Sequence, residues 1–228
     1  MKSEEYKKTK GSKGESLPKK LKGAIFDMDG TVVDAPYDWT NIKEELNTQG
    51  KPILSYIQGL AEPEKSQKWK QLENHEKEAT KKAVLKDGMP EFLAFLKTLG
   101  LKIALVTNNS RTNVLYLLDK FDLAFDLVLS RESGLWKPSG APFNAVLKQL
   151  KLKKEECCVI GDTFFDIEAA KDVGIDKIFI LNRDHEKFAS TPAKVFADVE
   201  ALQLYMVLIF SKLKEFDGKD EKDYSKEK

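Results

Sequence analysis

Short apolar runs recur along the chain and alternate with stretches of helical periodicity. The runs read as five buried strands, over residues 24–26, 102–107, 125–129, 157–160 and 177–181. Helices are predicted from the N-cap residue Ser110 to Lys120, over 142–150, and over 163–173 before Gly174. Strands that alternate with helices of about ten residues indicate parallel strands joined by right-handed crossovers. We therefore predict an α/β fold, a Rossmann-like open parallel sheet with helices on both faces.

Residues 36–86 depart from this alternation because they contain helical patterning and no strand-like run. Apolar residues recur there in two stripes at helical spacing, formed by Trp39, Ile42 and Leu46 and by Trp69, Leu72, Ala79 and Ala83. Pro52 and Pro63 stand where new helices can begin. We interpret the segment as a small α-helical cap insert whose apolar stripes pack within it.

Both ends of the chain are predicted to be flexible tails. Residues 1–22 contain eight lysines and three glutamates, and residues 214–228 are again mostly charged. The α/β core then comprises residues 23–35 and 87–213. The longest apolar run, residues 204–210, is far shorter than the roughly 18 residues that cross a bilayer. We expect neither a targeting segment nor a membrane span.

Composition narrows the classes of partner. The 228 residues include 38 basic and 37 acidic side chains, which does not fit the basic surface of a general nucleic-acid binder. Cys157 and Cys158 are the only cysteines and are adjacent, so we expect buried strand thiols, no disulfide framework and a reducing, cytoplasmic compartment. The last helix is expected to pack on the sheet, which favours a monomer or a weak homodimer.

Polar residues stand where the predicted strands end. These residues are Asp27 and Asp29 after the first strand, Thr107 and Asn108 after the second, Lys137 after the third, and Asp162 and Asp166 after the fourth. Ligands of open parallel sheets bind outside the carboxyl ends of the strands. Several carboxylates converging there would repel one another unless a cation joined them. Mg²⁺ suits a few carboxylate oxygens with remaining waters, so a magnesium site is predicted.

Each piece also has an ordinary structural explanation when taken alone. Residues 27–30 can form a simple turn, and residues 161–163 and 107–108 can cap the helices that follow them. Lys137 and Pro138 are uninformative by themselves. The joint order of all four segments along the sheet is what favours a functional site.

Together these segments resemble the four motifs of the haloacid dehalogenase-like hydrolase superfamily. The motifs stand here as Phe-Asp-Met-Asp-Gly-Thr-Val-Val at 26–33, Thr107-Asn108, Lys137-Pro138, and Gly161-Asp162 with Asp166. The insert resembles the small helical cap of phosphoglycolate phosphatase-like and β-phosphoglucomutase-like members. The resemblance implies a magnesium-dependent phosphatase that hydrolyses a small phosphorylated metabolite, either phosphoglycolate-like or a sugar phosphate.

The resemblance also implies a role for each motif residue. Asp27 would be the nucleophile that forms an aspartyl-phosphate, and Asp29 the general acid and then the general base. Lys137 would be both catalytic and substrate-binding, and Thr107 and Asn108 would bind phosphate oxygens. The predicted Mg²⁺ ligands are Asp27, Asp29 through its backbone carbonyl, Asp162 and, more remotely, Asp166.

Two other functions stay open on the sequence. A phosphomutase of the β-phosphoglucomutase type shares the aspartyl-phosphate, although a short cap favours hydrolysis over a reaction that must exclude water. A non-catalytic metal- or phosphate-binding interaction protein would not need both Asp27 and Asp29. Tyr37, Asp38 and Lys43 are candidate substrate contacts at the start of the insert. One phenylalanine of the pair at 164–165 is expected to pack beneath its helix.

Overall fold

The computed structural model describes residues 21–210. Its centre is a six-stranded parallel sheet in the order β5-β4-β1-β6-β7-β8. The strands are β1 Gly23–Phe26, β4 Lys102–Val106, β5 Leu127–Leu129, β6 Cys157–Gly161, β7 Lys177–Leu181 and β8 Lys194–Phe196. The predicted α/β fold and its five strands are confirmed, and β8 is an additional edge strand.

Helices cover both faces of this sheet. They are α4 Met89–Thr98, α5 Arg111–Lys120, α6 Ala141–Leu150, α7 Phe164–Val173 and a helix over 199–210, here α8. Successive residues of β1 point to opposite faces, so Ala24 and Phe26 join one apolar cluster and Ile25 joins the other. The first cluster includes buried residues of α4, α5 and α8, and the second those of α6 and α7. The predicted packing of the last helix on the sheet is thereby confirmed.

The predicted helix ends are also found in the structure. The Ser110 side chain accepts a hydrogen bond from the Asn113 N–H at 3.3 Å, as an N-cap residue should. Gly174 ends α7 with a φ of +78°, a left-handed conformation that glycine adopts without strain. Cys157 and Cys158 are buried in β6 as expected, and burial raises the pKa of the Cys157 thiol to about 12.

The insert lies between two very short strands, β2 Val33–Asp34 and β3 Val84–Leu85, which pair antiparallel. It contains α1 Trp39–Leu46, α2 Ile53–Gln58 and α3 Glu64–Lys81, and α2 and α3 follow Pro52 and Pro63 as predicted. Its apolar cluster consists of Ile42, Leu46, Ile57 and Leu72. The expectation that the insert contains no strand was wrong at Val84–Leu85. Two residues are too few to show the alternation of apolar and polar positions that marks a strand. Ala83 packs in the main core instead of the insert.

The ends of the described region differ slightly from the predicted tails. Leu21 is buried in the main core, and the Lys22 Nζ lies 2.6 Å from Glu156 Oε1, so these two residues belong to the folded domain. The other residues of both predicted tails, and core residues 211–213, lie outside the described residues. Within residues 21–210, no helix combines the length and the apolar character needed to span a membrane.

Candidate active site

Three charged side chains meet beyond the carboxyl ends of β1 and β6. The Lys137 Nζ lies 2.6 Å from Asp27 Oδ1 and 2.7 Å from Asp166 Oδ1, and all three residues are buried. The backbone of Asp27 is tied to β6, because its N–H donates to the Ile160 carbonyl at 2.9 Å. The predicted convergence of residues from distant motifs is therefore found for these three.

The other lone pairs of Asp166 are already used within the protein. Its Oδ2 accepts hydrogen bonds from the Asp162 N–H at 3.3 Å, the Thr163 N–H at 3.1 Å and the Thr163 hydroxyl at 2.8 Å. Asp166 therefore orders the loop before α7 and fixes Lys137. Both oxygens of Asp166 are therefore engaged by other groups of the protein.

Asp162 and Asp27 offer the carboxylate oxygens that remain. One oxygen each of Asp27, Asp162 and Asp166 lie within 4.8 Å of one another, and Asp162 Oδ1 is buried without a hydrogen-bond partner among residues 21–210. A Cβ at Gly30, whose φ is +84°, would lie 2.2 Å from Asp162 Oδ2. Glycine is thus required there for the two loops to approach. Three carboxylates against one lysine leave a negative excess that fits a divalent cation.

Burial and mutual repulsion determine the electrostatics of the cluster. Burial raises the pKa of Asp27 well above its usual value, and Lys137 opposes the shift. Burial and then the neighbouring Asp166 raise the pKa of Asp162 to about 7. Burial alone would lower the pKa of Lys137, but Asp166 and Asp27 outweigh it and hold that pKa above the usual value. Lys137 therefore stays protonated. Any further positive charge nearby would lower the pKa of the carboxyl groups and stabilise their anions.

The loop after β4 positions Lys137 from the opposite side. The Asn108 side chain donates to the Lys137 carbonyl at 2.9 Å and accepts from the Lys137 N–H at 3.0 Å. These two bonds engage both ends of the Asn108 side-chain amide with the Lys137 backbone. Thr107 Oγ1 accepts from the Asn109 N–H at 3.0 Å, which leaves the hydroxyl hydrogen able to donate to an anion.

Asp29 lies at the boundary between core and insert. Its Oδ2 accepts from Asn109 Nδ2 at 3.0 Å, and its buried Oδ1 has no hydrogen-bond partner within the described residues. Burial raises the pKa of Asp29, while hydrogen bonds from Asn109 and Tyr37 oppose the shift. The contact of Asn109 was not predicted; its only sequence signal is a third consecutive polar residue after β4.

A buried ion pair joins the insert to the same loop. Arg131, in the 3₁₀ helix Arg131–Ser133 after β5, contacts Glu76 of α3 through Nη2 and donates from Nε to the Asn108 carbonyl at 3.1 Å. The two side chains are only 7% and 4% exposed. Burial raises the pKa of Glu76 to about 7, and Arg131 opposes the shift. Sequence reasoning missed this pair because Glu76 stands among charged residues typical of a solvated helix face.

The remaining candidate residues lie on exposed surface. Asp38 is exposed and accepts from the Asn41 N–H as the cap of α1, and Lys43 is exposed on the same helix. The expectation that one phenylalanine packs beneath α7 was wrong, because Phe164 and Phe165 are 38% and 37% exposed. The ring of Phe164 instead packs on Phe188, with a centroid separation of 4.8 Å.

Comparisons with known proteins show which family and which relatives the chain resembles. A family model described as haloacid dehalogenase-like hydrolase matches residues 24–180. The chain is 32% identical over 171 residues to a phosphoglycolate phosphatase from Aquifex aeolicus, covering 66% of this chain and 80% of that protein. It is 28% identical over 182 residues to a phosphorylated carbohydrates phosphatase from Thermotoga maritima, covering 70% of this chain and 84% of that protein.

The solved structures agree at the level of the fold. A haloacid dehalogenase superfamily hydrolase from Ehrlichia chaffeensis matches with a TM-score of 0.58 at 21% identity, covering 84% of this chain and 99% of that one. The family is described as hydrolases and both relatives are named as phosphatases, which confirms the prediction of a hydrolase of the phosphatase type. The family model covers more than half of the sequence, and the chain therefore belongs to the haloacid dehalogenase-like hydrolase family.

Proposed function

We propose that the protein is a magnesium-dependent phosphatase that hydrolyses a small phosphorylated metabolite in the cytoplasm through an aspartyl-phosphate. The observation that carries the proposal is the arrangement of two carboxyls two residues apart. Asp27 is in contact with the Lys137 cation, while Asp29 has one buried oxygen without a hydrogen-bond partner among residues 21–210. A nucleophile and an acid–base group are what phosphoryl transfer through a covalent intermediate requires.

In the first step, an Asp27 oxygen attacks the phosphorus atom and the bond from phosphorus to the leaving oxygen breaks. The electron pair goes to the leaving oxygen, which takes a proton from the Asp29 carboxyl. Lys137, the Thr107 hydroxyl and an amide N–H of Asn108 would stabilise charge on the phosphoryl oxygens, and the contact of Lys137 with Asp27 supports this role for the lysine.

In the second step, Asp29 acts as a carboxylate and accepts a proton from water. The water oxygen attacks phosphorus, and the bond to Asp27 breaks with return of the electron pair to its carboxylate. The protein thereby regains Asp27 as an anion and Asp29 as an acid. One residue performs both proton transfers because the second reverses the direction of the first.

The residues present fit a magnesium ion. Asp27 and Asp162 would hold it with the Asp29 carbonyl. The excess of carboxylates and the Asp162 oxygen that has no partner in the described part of the chain support this arrangement. When bound, the cation would offset the repulsion between the substrate phosphate and the nucleophile and orient the phosphate. Asp166 and Lys137 fix the surrounding loops.

The direct test is hydrolysis of p-nitrophenyl phosphate with Mg²⁺ by wild type and by Asp27→Asn. We expect turnover in wild type and a loss of at least about a thousandfold in the variant. Asp34→Asn, an exposed aspartate paired with Lys86, is the matched control and should retain activity. Equal turnover in Asp27→Asn and wild type contradicts the mechanism.

The substrate class is tested by a panel that contains phosphoglycolate and several sugar phosphates. The names of the Aquifex and Thermotoga relatives support these two classes. Release of inorganic phosphate is the expected result for a phosphatase. Transfer of the phosphoryl group to another hydroxyl of a sugar would instead identify a phosphomutase. Activity on none of the panel, with a stable protein partner, would favour a binding function.

A further inference from the structure

The two oxygens of the Asp29 carboxyl differ in their surroundings. Oδ2 accepts a hydrogen bond from Asn109 Nδ2 at 3.0 Å, and Oδ1 is buried with no hydrogen-bond partner among residues 21–210. A carboxylic acid carries its proton on one oxygen. The carbonyl oxygen of a carboxylic acid is a stronger acceptor than its hydroxyl oxygen, so the Asn109 donor at Oδ2 favours the acid proton on Oδ1.

Asn109 can present its amino group to Asp29 in only one orientation of its amide. Its Oδ1 accepts from the Ser110 N–H at 2.7 Å and from Asn113 Nδ2 at 2.9 Å. A flipped amide would place an oxygen against the Asp29 carboxyl and lose both of these bonds. The Asn109 carbonyl also accepts from the Arg131 N–H at 2.9 Å, so the backbone is fixed too.

The insert contributes to the same arrangement through Tyr37. The Tyr37 hydroxyl accepts a second hydrogen bond from Asn109 Nδ2 at 2.7 Å, and its ring stacks on Trp39 with centroids 4.5 Å apart. A single Asn109 amino group therefore spans from the core carboxyl to an insert side chain. The place of the insert and the orientation of Asp29 are coupled through this group and through the Tyr37 hydroxyl, which also interacts with Asp29.

We propose that Asn109 is a positioning residue, held from the insert by Tyr37, that directs the Asp29 proton to Oδ1 for transfer to the leaving oxygen. This rests on the proposed function. In the step concerned, the bond from phosphorus to the leaving oxygen breaks, that oxygen takes the electron pair, and the proton on Asp29 Oδ1 moves to it. Asn109 exchanges no proton and contacts neither phosphorus nor the leaving group.

The test compares two substrates that differ in their need for an acid. p-Nitrophenolate departs readily without protonation, whereas the alkoxide released from glycerol 2-phosphate needs a proton as it leaves. The quantity measured is kcat/KM, which reports the step that forms the aspartyl-phosphate. For Asn109→Ala we expect a loss of about 100-fold on glycerol 2-phosphate and of less than about threefold on p-nitrophenyl phosphate. Tyr37→Phe, which removes one hydroxyl, should show the same selectivity with a smaller loss.

The comparison separates this proposal from a structural role and from the proposed function. A misfolded or loosened site lowers both rates together, so an equal loss on the two substrates, or no loss on either, would overturn the role of Asn109. If Asn109→Ala does not fold, Asn109→Asp decides, because it keeps an acceptor for Ser110 and Asn113 but cannot donate to Asp29; an equal effect on both substrates again overturns the role of Asn109. Wild type that hydrolyses both substrates upholds the phosphatase function whatever Asn109 does, whereas wild type that hydrolyses neither overturns both proposals.

Discussion

The strand-end site and the helical insert are held in place by different kinds of contact. At the site, Lys137 is fixed by two buried carboxylates and by two hydrogen bonds between its backbone and the Asn108 side chain, which donates one and accepts the other. The insert has its own apolar cluster and is joined to the core by polar contacts that include the buried Glu76–Arg131 pair and the bond between Tyr37 and Asn109. The position of Lys137 thus depends on contacts within the core, whereas the position of the insert, and with it the orientation of Asp29, depends on a few bridging groups.

The largest expected effect is at Lys137. Lys137→Met leaves Asp27 and Asp166 buried without a cationic partner, so we expect about 3–5 kcal/mol lower free energy of unfolding. The kcat should fall by about 100- to 1000-fold, since a fixed charge beside the phosphate is lost. Urea unfolding and p-nitrophenyl phosphate assays measure both. Lys22→Met, which removes a surface pair with Glu156, is the control and should change neither appreciably.

The bridge between the two regions is tested by Glu76→Ala. The substitution leaves Arg131 buried and unpaired, so we expect about 3 kcal/mol lower free energy of unfolding. The kcat should fall much less than in Lys137→Met, because Lys137 and Asp27 remain in contact. Glu78→Ala, on the exposed side of the same helix, should leave stability and activity nearly unchanged. A loss of kcat as large as that of Lys137→Met would show that the site depends on the insert.

Two matched truncations test whether the apolar cluster of the insert is independent of the cluster that packs α4 on the sheet. Leu46 of the insert and Leu96 of α4 are both completely buried, and truncation to alanine costs about 2–5 kcal/mol at such positions. For Leu46→Ala we expect faster hydrogen exchange in α1 to α3 and little change in β1, β4 and β6. For Leu96→Ala exchange should rise throughout the sheet. Identical patterns in the two variants would mean that one cooperative unit contains both clusters.

The smallest expected effect is at the loop before α7. Thr163 donates its hydroxyl to Asp166 at 2.8 Å, and Thr163→Ala should lower the free energy of unfolding by about 1 kcal/mol. Lys137 stays paired with both carboxylates, so activity should fall only modestly. The same urea titration and phosphatase assay measure this variant. A loss of activity equal to that of Lys137→Met would mean that Asp166 no longer fixes Lys137.

Magnesium should act on the core site alone. Binding to the folded state stabilises it by about 2.7 kcal/mol when the ion is at 100 times its dissociation constant. We expect thermal unfolding of wild type to shift upward with Mg²⁺ and the shift to be lost in Asp162→Asn. An equal shift in Asp162→Asn would place the ion elsewhere.

Calcium should inhibit turnover, because its looser coordination can engage both oxygens of Asp27.

The sequence was sufficient for the parts of the fold whose signals are local. Apolar runs mark the central strands, and polar residues directly after them mark Asp27, Thr107 and Asp162 at one sheet edge. The two-residue strands β2 and β3 were not predicted, because the alternation of apolar and polar residues that marks a strand cannot be recognised in two residues. β8 was missed for a related reason, since three residues in a loop-rich segment carry little pattern.

The bridging residues could not be predicted because their roles depend on partners distant in the chain. Glu76 stands 55 positions from Arg131, and only folding shows that its face of α3 is turned towards the core. Asn109 stands 80 positions from Asp29. Asn108 was predicted at the right edge, but its side chain holds the Lys137 backbone, a contact that no residue type specifies.

The central claim, that Asp27 carries the phosphoryl group during turnover, is tested most directly by trapping the intermediate. Wild type mixed with substrate and Mg²⁺ is quenched in acid within one turnover, and its peptides are analysed by mass spectrometry. We expect one phosphoryl group on the peptide that contains Asp27, at the Asp27 side chain. Asp29→Asn should accumulate more of this aspartyl-phosphate if the variant slows its hydrolysis more than its formation. A phosphoryl group on another residue, or turnover without any on Asp27, would contradict the account.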